Sequence, residues 1–154
     1  MVDDSQILAI GDHRPREVIE PLQESSLSFD VIIPDGSYQD PRKYFSFLIR
    51  CWRTTRDDEI KLILINGFDP FSLLAAVTGK LQGVPVIVRV AGPPHQVKRA
   101  KLRESITDWQ LLSWLTHGLH LALTKVILRL VDTSISVSEN VQRDLVNNSS
   151  LTEH

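Results

Sequence analysis

The sequence predicts an α/β fold: a single Rossmann-like, doubly wound parallel sheet of about five strands. Three observations carry the prediction. Short apolar runs alternate with longer helical patterns along the chain, which is how βαβ units read in sequence. The runs are continuously apolar rather than alternating, so both sheet faces need helices over them. At 154 residues and 42% hydrophobic content, the chain has the length and apolar supply of one domain.

Taken in order, Ile7-Leu8-Ala9-Ile10 is the first strand, closed by Gly11-Asp12. A short helix is predicted over 12–24, with Pro21 kinking or ending it. Phe29-Asp30-Val31-Ile32-Ile33 and Lys61-Leu62-Ile63-Leu64-Ile65 both read as buried central strands, the first ending at Pro34-Asp35-Gly36 and the second at Asn66-Gly67. Residues 84–90 and 133–137 supply the fourth and fifth strands. Asp40-Pro41 and Asp69-Pro70 start helices, because the aspartate oxygen satisfies a free amide and proline lacks only an N–H that has no intrahelical partner. Thr107-Asp108-Trp109-Gln110 has capping-box spacing, and 141–146 begins a last helix behind Ser138. The expected crossovers are right-handed, and the expected strand order is 3-2-1-4-5. Leu8, Ile10, Val31, Ile33, Leu62, Leu64, Val86, Val88, Ile135 and Val137 are the predicted buried strand positions.

Composition narrows the function. With 17 Lys+Arg against 19 Asp+Glu, the formal charge of −2 gives no global attraction to phosphate backbones, and a dedicated nucleic-acid binder is disfavoured. The single Cys51 excludes an intrachain disulfide and a cysteine-rich metal site. An acidic Met1-Val2-Asp3-Asp4 start and a short apolar run after it do not resemble an export signal, so a cytoplasmic location is expected.

In a doubly wound sheet, ligands sit outside the carboxyl ends of the strands, where helix N-termini aim free N–H groups at anions. That rule nominates Gly11, Asp12 and His13 with the neighbouring Arg14, the loop from Asn66 and Gly67 through Phe68 and Asp69, Arg89 with Gly92 and His95, and Ser138 with Glu139. One glycine after the first strand is too few for a dinucleotide fingerprint. Asp12, Asp69 and Ser138 also serve as N-caps, and Gly67 and Gly92 also suit sharp strand exits. Arg89 closes a strand otherwise made of Val and Ile, so its charge calls for either a neighbouring aspartate or an anionic ligand. No catalytic triad, metal-ligand spacing or carboxylate pair is visible, so no catalytic residue, metal or resident cofactor is assigned.

Residues 109–131 form the most apolar helix pattern in the chain. Gln110, Ser113, His117, His120 and Thr124 recur at helical spacing as one narrow polar stripe among leucines, with Trp109 and Trp114 on the apolar remainder. Lys98, Arg99, Lys101 and Arg103 lie just upstream. Two readings stand: a helix lying peripherally in a membrane interface with its cations on head groups, or a crossover helix buried against another domain or subunit. A membrane-spanning helix fits worst, because Lys125, Arg129 and two histidines interrupt it.

At this point the chain resembles the N-terminal domain of GT-B-fold glycosyltransferases of family 4. Three passages carry the resemblance: Leu64-Ile65-Asn66-Gly67-Phe68-Asp69-Pro70, Val84-Pro85-Val86-Ile87-Val88-Arg89-Val90-Ala91-Gly92, and Val131-Asp132-Thr133-Ser134-Ile135-Ser136-Val137-Ser138-Glu139 with Leu145. The chain has Gly11-Asp12 and Ala91-Gly92 where many members carry a Gly-Gly turn and a His-Gly pair.

The resemblance implies that residues 1–154 are the acceptor-side domain of a sugar-nucleotide-dependent, retaining glycosyltransferase. It implies a nucleotide sugar as substrate, a sugar or lipid-linked acceptor, and a donor-binding C-terminal domain that this chain lacks, so that alone it is inactive. Two alternatives stand beside it: a non-catalytic membrane- or partner-binding subunit of a split glycosyltransferase that recruits a donor-domain subunit, and a generic doubly wound ligand-binding or signalling module.

Overall fold

The computed structural model describes residues 6–11, 28–34, 40–57, 60–94, 96, 100 and 111–148. Its elements are β1 (Gln6–Gly11), β2 (Ser28–Ile32), α1 (Pro41–Asp57), β3 (Ile60–Asn66), α2 (Pro70–Gln82), β4 (Val86–Val90), α3 (Leu111–Leu130), β5 (Thr133–Ser136) and α4 (Glu139–Asn148). The strands form one five-stranded sheet in which every described pairing is parallel, in the order β2-β1-β3-β4-β5. This is an α/β, Rossmann-like parallel sheet of the class the sequence predicts.

The order differs from the predicted 3-2-1-4-5: β3 pairs with β1 on the side away from β2. The 29–33 run is accordingly an edge strand, not a central one. Asp30 is exposed, and Val31 and Ile33 are 36% and 43% exposed. An edge leaves the Asp30 carboxylate in water, whereas the uncharged core of β3 takes the centre.

Cross-strand register puts Leu8, Ile10, Ile32, Ile63, Ile65, Val86, Val88 and Val90 on one face, and every one of them is at most 2% exposed. The connections β2→β3, β3→β4 and β4→β5 all step the same way across the sheet, so right-handed crossovers set α1, α2 and α3 on one side. α2 lies between α1 and α3 there. Gly79 marks the closest approach: a Cβ on it would stand 2.3 Å from Val86 Cγ2 and 3.0 Å from the Val84 carbonyl oxygen. Phe47 and Cys51 of α1, Phe71 and Ala75 of α2 and Ile127 of α3 complete this core with the strands, and Phe71 packs between Tyr44 (centroids 4.8 Å apart) and Phe47 (5.0 Å).

On the opposite face Leu62, Leu64, Ile87 and Arg89 are only partly buried, and Val31 and Ile135 are exposed. Six of the ten predicted positions are therefore not fully buried: Leu8, Ile10, Val86 and Val88 are buried, Leu62 and Leu64 partly so, and Val31, Ile33, Ile135 and Val137 are exposed. A continuously apolar strand does not announce which alternate set meets the thicker helix layer.

Both Asp-Pro helix starts form as predicted. Asp40 Oδ1 accepts from Arg42 N at 3.0 Å, and Asp69 Oδ1 accepts from Ser72 N at 2.7 Å. The helix predicted over 12–24 and the capping box at 107–110 lie outside the described residues. Buried threonines in three helices satisfy their hydroxyls within their own helix: Thr55, Thr78 and Thr124 donate to the carbonyls of Cys51, Leu74 and His120 at 2.7, 2.8 and 2.9 Å. No described helix is long and apolar enough to cross a membrane.

Candidate functional site at the carboxyl edge

With this strand order, the chain leaves β1 toward one side and β3 toward the other, which opens a crevice at the carboxyl ends of these two neighbours. Gly11 and Asn66 are register partners at that point, and Asn66 is in turn the register partner of Arg89. Three of the nominated residues, on three different strands, thus form one row across the mouth of the crevice.

Arg89 Nη1 donates to Asn66 Oδ1 at 3.3 Å, beyond the usual range for such a bond and made by one of five guanidinium donors. Arg89 is partly buried and has no carboxylate partner among the described residues. On the salt-bridge reading of this residue, no aspartate among the described residues supplies the bridge, and Asp12 lies outside them. Gly67 turns the chain out of β3 at φ 102°, a conformation that costs a side chain dearly, while its N–H donates to the Arg89 carbonyl at 3.2 Å and ties the turn to β4.

The other nominated residues divide. Gly92 is exposed beyond β4, does not adopt a left-handed backbone, and a Cβ there would touch nothing within 4 Å. Ser138 Oγ accepts from Val141 N at 3.5 Å, a loose cap on α4. Glu139 opens that helix and pairs with Arg143 at 3.1 Å in a solvated i,i+4 bridge. Asp69 is committed to capping α2. Asp12, His13, His95, Lys98, Arg99, Lys101, Arg103 and Trp109 lie outside the described residues, and Trp114 falls in the first turn of α3.

A groove of about 590 Å³ runs from the carboxyl end of β3 to α3. Leu115, Leu119 and Leu123 form one wall, with Phe68 and Pro70 opposite. Asn66, Asp69, Thr116 and His120 place polar groups along it. The α3 wall was legible as an i, i+4, i+8 leucine repeat, but nothing in sequence aimed it at the 66–70 loop. Burial and then the Asp69 charge raise the pKa of the Tyr44 phenol.

The predicted polar stripe of this helix is not its water-facing side. Thr124 is 2% exposed, whereas Leu115 and Leu119 are 52% and 72% exposed. His117 Nδ1 is buried without a hydrogen-bond partner. Among the described residues no cluster of three or more His, Cys, Asp or Glu is placed to hold a metal.

No protein-family model and no curated sequence matches this chain. Solved structures do match it in fold. The UDP-GlcNAc 2-epimerase of Neisseria meningitidis bound to UDP-GlcNAc superposes with a TM-score of 0.64 at 15% identity, over 96% of this chain and 43% of that one. The Methanocaldococcus jannaschii UDP-GlcNAc 2-epimerase in complex with UDP-GlcNAc and UDP gives 0.61 at 12% identity, over 96% and 44%. S. aureus MnaA with UDP gives 0.56 at 13% identity, over 93% and 40%. The chain thus spans less than half the length of each of these proteins. They share the GT-B arrangement with glycosyltransferases, and likeness at this identity is a likeness of fold.

Proposed function

We propose that this chain is a nucleotide-sugar-binding, acceptor-side domain of a GT-B-type enzyme, working at the carboxyl edge of its sheet. The observation that carries the reading is Arg89: a partly buried guanidinium at the mouth of the β1/β3 crevice, lightly held by Asn66 and without a carboxylate among the described residues. Its planar fork suits the paired oxygens of a phosphate. Gly11 ends β1 beside Asn66 and carries no side chain. The fold neighbours solved with UDP-GlcNAc support this ligand class.

The nucleotide sugar enters as substrate, not as a resident cofactor. Retaining transfer to a sugar or lipid-linked acceptor is the activity we assign to the whole enzyme, on the strength of the three sequence passages. It requires a second α/β unit to hold most of the donor, in the same polypeptide or in a partner subunit.

Calorimetric titration with UDP-GlcNAc, UDP and GlcNAc tests the proposal. The chain is expected to bind UDP-GlcNAc, and Arg89→Ala is expected to weaken binding about 10- to 100-fold, as for a charge-assisted hydrogen bond worth about 1.5–3 kcal/mol, while the melting temperature holds. Unchanged affinity with marked destabilisation would make Arg89 a structural residue. Robust turnover of UDP-GlcNAc by this chain alone would overturn the half-site reading.

A further inference from the structure

The outer surface of the helix layer formed by α1, α2 and α3 is apolar and positively charged. α1 exposes Phe45, Ile49 and Trp52, spaced as one stripe of a helix, with Phe45 66% exposed. α3 exposes Leu115, Leu119 and Val126 along one stripe, and Leu81 of the intervening α2 is 69% exposed. The three helices lie next to one another on one side of the sheet, so their outward residues share a surface. Single exposed apolar side chains are ordinary on a monomer, but a layer that shows them on each of its helices marks an interaction face.

Charge on this layer has one sign. α1 carries Arg42, Lys43, Arg50, Arg53 and Arg56, and α3 adds Lys125 and Arg129, whereas the one acidic residue in all three helices is Asp57. None of these cations has a carboxylate partner among the described residues. They are concentrated here in a chain whose formal charge is −2. On α1 the two features interleave: Arg42 stands three residues before Phe45, Arg53 four after Ile49 and Arg56 four after Trp52, so each exposed apolar residue has an arginine one turn away.

We propose that this helix face docks on an anionic lipid bilayer, its exposed apolar side chains entering the head-group region and its arginines pairing with lipid phosphates. The charge pattern selects this occupant. A second copy of the same face would set cations against cations, at a cost to association. No described helix is long and apolar enough to cross a bilayer, so the face rests on the membrane without spanning it. Its cations come from α1, far from α3 in sequence, instead of from the 98–103 cluster just upstream of α3. The surface is thus a property of the packed layer and stands independently of the nucleotide-sugar reading.

Co-sedimentation of the whole chain with mixed phosphatidylcholine–phosphatidylglycerol vesicles and with pure phosphatidylcholine vesicles, at low and at raised salt, tests the proposal. The chain is expected to bind the mixed vesicles on the order of tenfold or more tighter than the zwitterionic ones, and to lose that preference as salt rises. The triple variant Arg50→Gln, Arg53→Gln, Arg56→Gln is expected to weaken binding to mixed vesicles by about tenfold or more, at unchanged melting temperature. Phe45→Gln, a single change at a largely exposed position, is expected to weaken it as well. Replacing Lys98, Arg99, Lys101 and Arg103 by Gln is expected to leave it at the parent level. Absence of binding to mixed vesicles at low salt overturns the proposal, as does equal binding to both vesicle types or binding undiminished in both the triple variant and Phe45→Gln. A loss confined to the 98–103 variant overturns it too. Binding to polyglutamate without vesicle binding overturns it in favour of an acidic protein partner, and a self-association that Phe45→Gln removes, again without vesicle binding, in favour of a second copy.

Discussion

Asp132 stands one residue ahead of β5 and joins three elements at the amino edge of the sheet, opposite the candidate site. Its Oδ1 takes the Lys80 ammonium at 2.5 Å, its Oδ2 accepts from Val86 N at 2.9 Å, and its own N–H donates to the Val86 carbonyl at 2.9 Å. The aspartate of the passage that carried the family resemblance is therefore a structural clasp in this chain. The hydrogen bond from Lys80, that from the Val86 amide and the Lys80 charge hold the Asp132 carboxyl below the ordinary carboxylate value, against a smaller upward push from burial. A carboxyl depressed in the folded state stabilises above its unfolded value of about 3.9 and loses that contribution as pH falls through the folded value. Asp132→Asn should therefore lower stability at pH 7 and show a smaller further loss between pH 7 and pH 3 than the parent, as read by urea unfolding at both. Identical acid losses would remove the clasp from the pH account. Because the pair is about two-fifths exposed, solvent screening keeps the effect small.

At the scale of elements, α2 is the best-determined helix and illustrates what composition conceals. Asp69 and Pro70 start it and Gly83, at φ 70°, ends it, all from local chemistry. Gly79 in its interior reads as a weak point, where alanine normally stabilises a helix by about 1 kcal/mol. Its place against Val86 and the Val84 carbonyl reverses the sign: Gly79→Ala should destabilise by about 1–3 kcal/mol, the usual penalty for overpacking. A gain in chemical-denaturation stability would show that α2 does not approach β4 so closely. In β3 the same dependence on packing picks the fully buried Ile63 over the partly buried Leu64, and Ile63→Ala should cost about 2–5 kcal/mol. A loss below about 0.5 kcal/mol, the range of surface changes, would put the phase of this strand in error. α3 is apolar on most of its circumference, and such a helix has no sequence-defined outside. Its buried Thr124 and exposed Leu119 follow from its neighbours, not from its own periodicity.

For the molecule as a whole, Cys51 offers a reporter of cooperative opening. It is fully buried in the main core between α1 and the sheet, and burial pushes its thiol up to about 11 despite hydrogen bonds to Thr78 and Thr55. Reaction with an aromatic disulfide reagent needs an exposed thiolate, so native protein should react orders of magnitude more slowly than urea-unfolded protein, with labelling that tracks global unfolding. Fast native labelling would mean that α1 detaches locally. The alternation of apolar runs and capped helices was sufficient to establish the α/β class, five parallel strands, the Asp-Pro helix starts, the turn at Gly67 and the place of Arg89 near the end of β4, because each depends on neighbours in the chain: hydrophobic transfer, an unsatisfied amide, a positive φ, a charge among valines. The position of β3 beside β1, the deeper-buried face of each strand, the Asn66–Arg89 contact, the inward side of α3 and the groove against the 66–70 loop depend on residues far apart in sequence. Several arrangements bury these same runs equally well by composition, and only the packing of one helix layer on one sheet face selects among them.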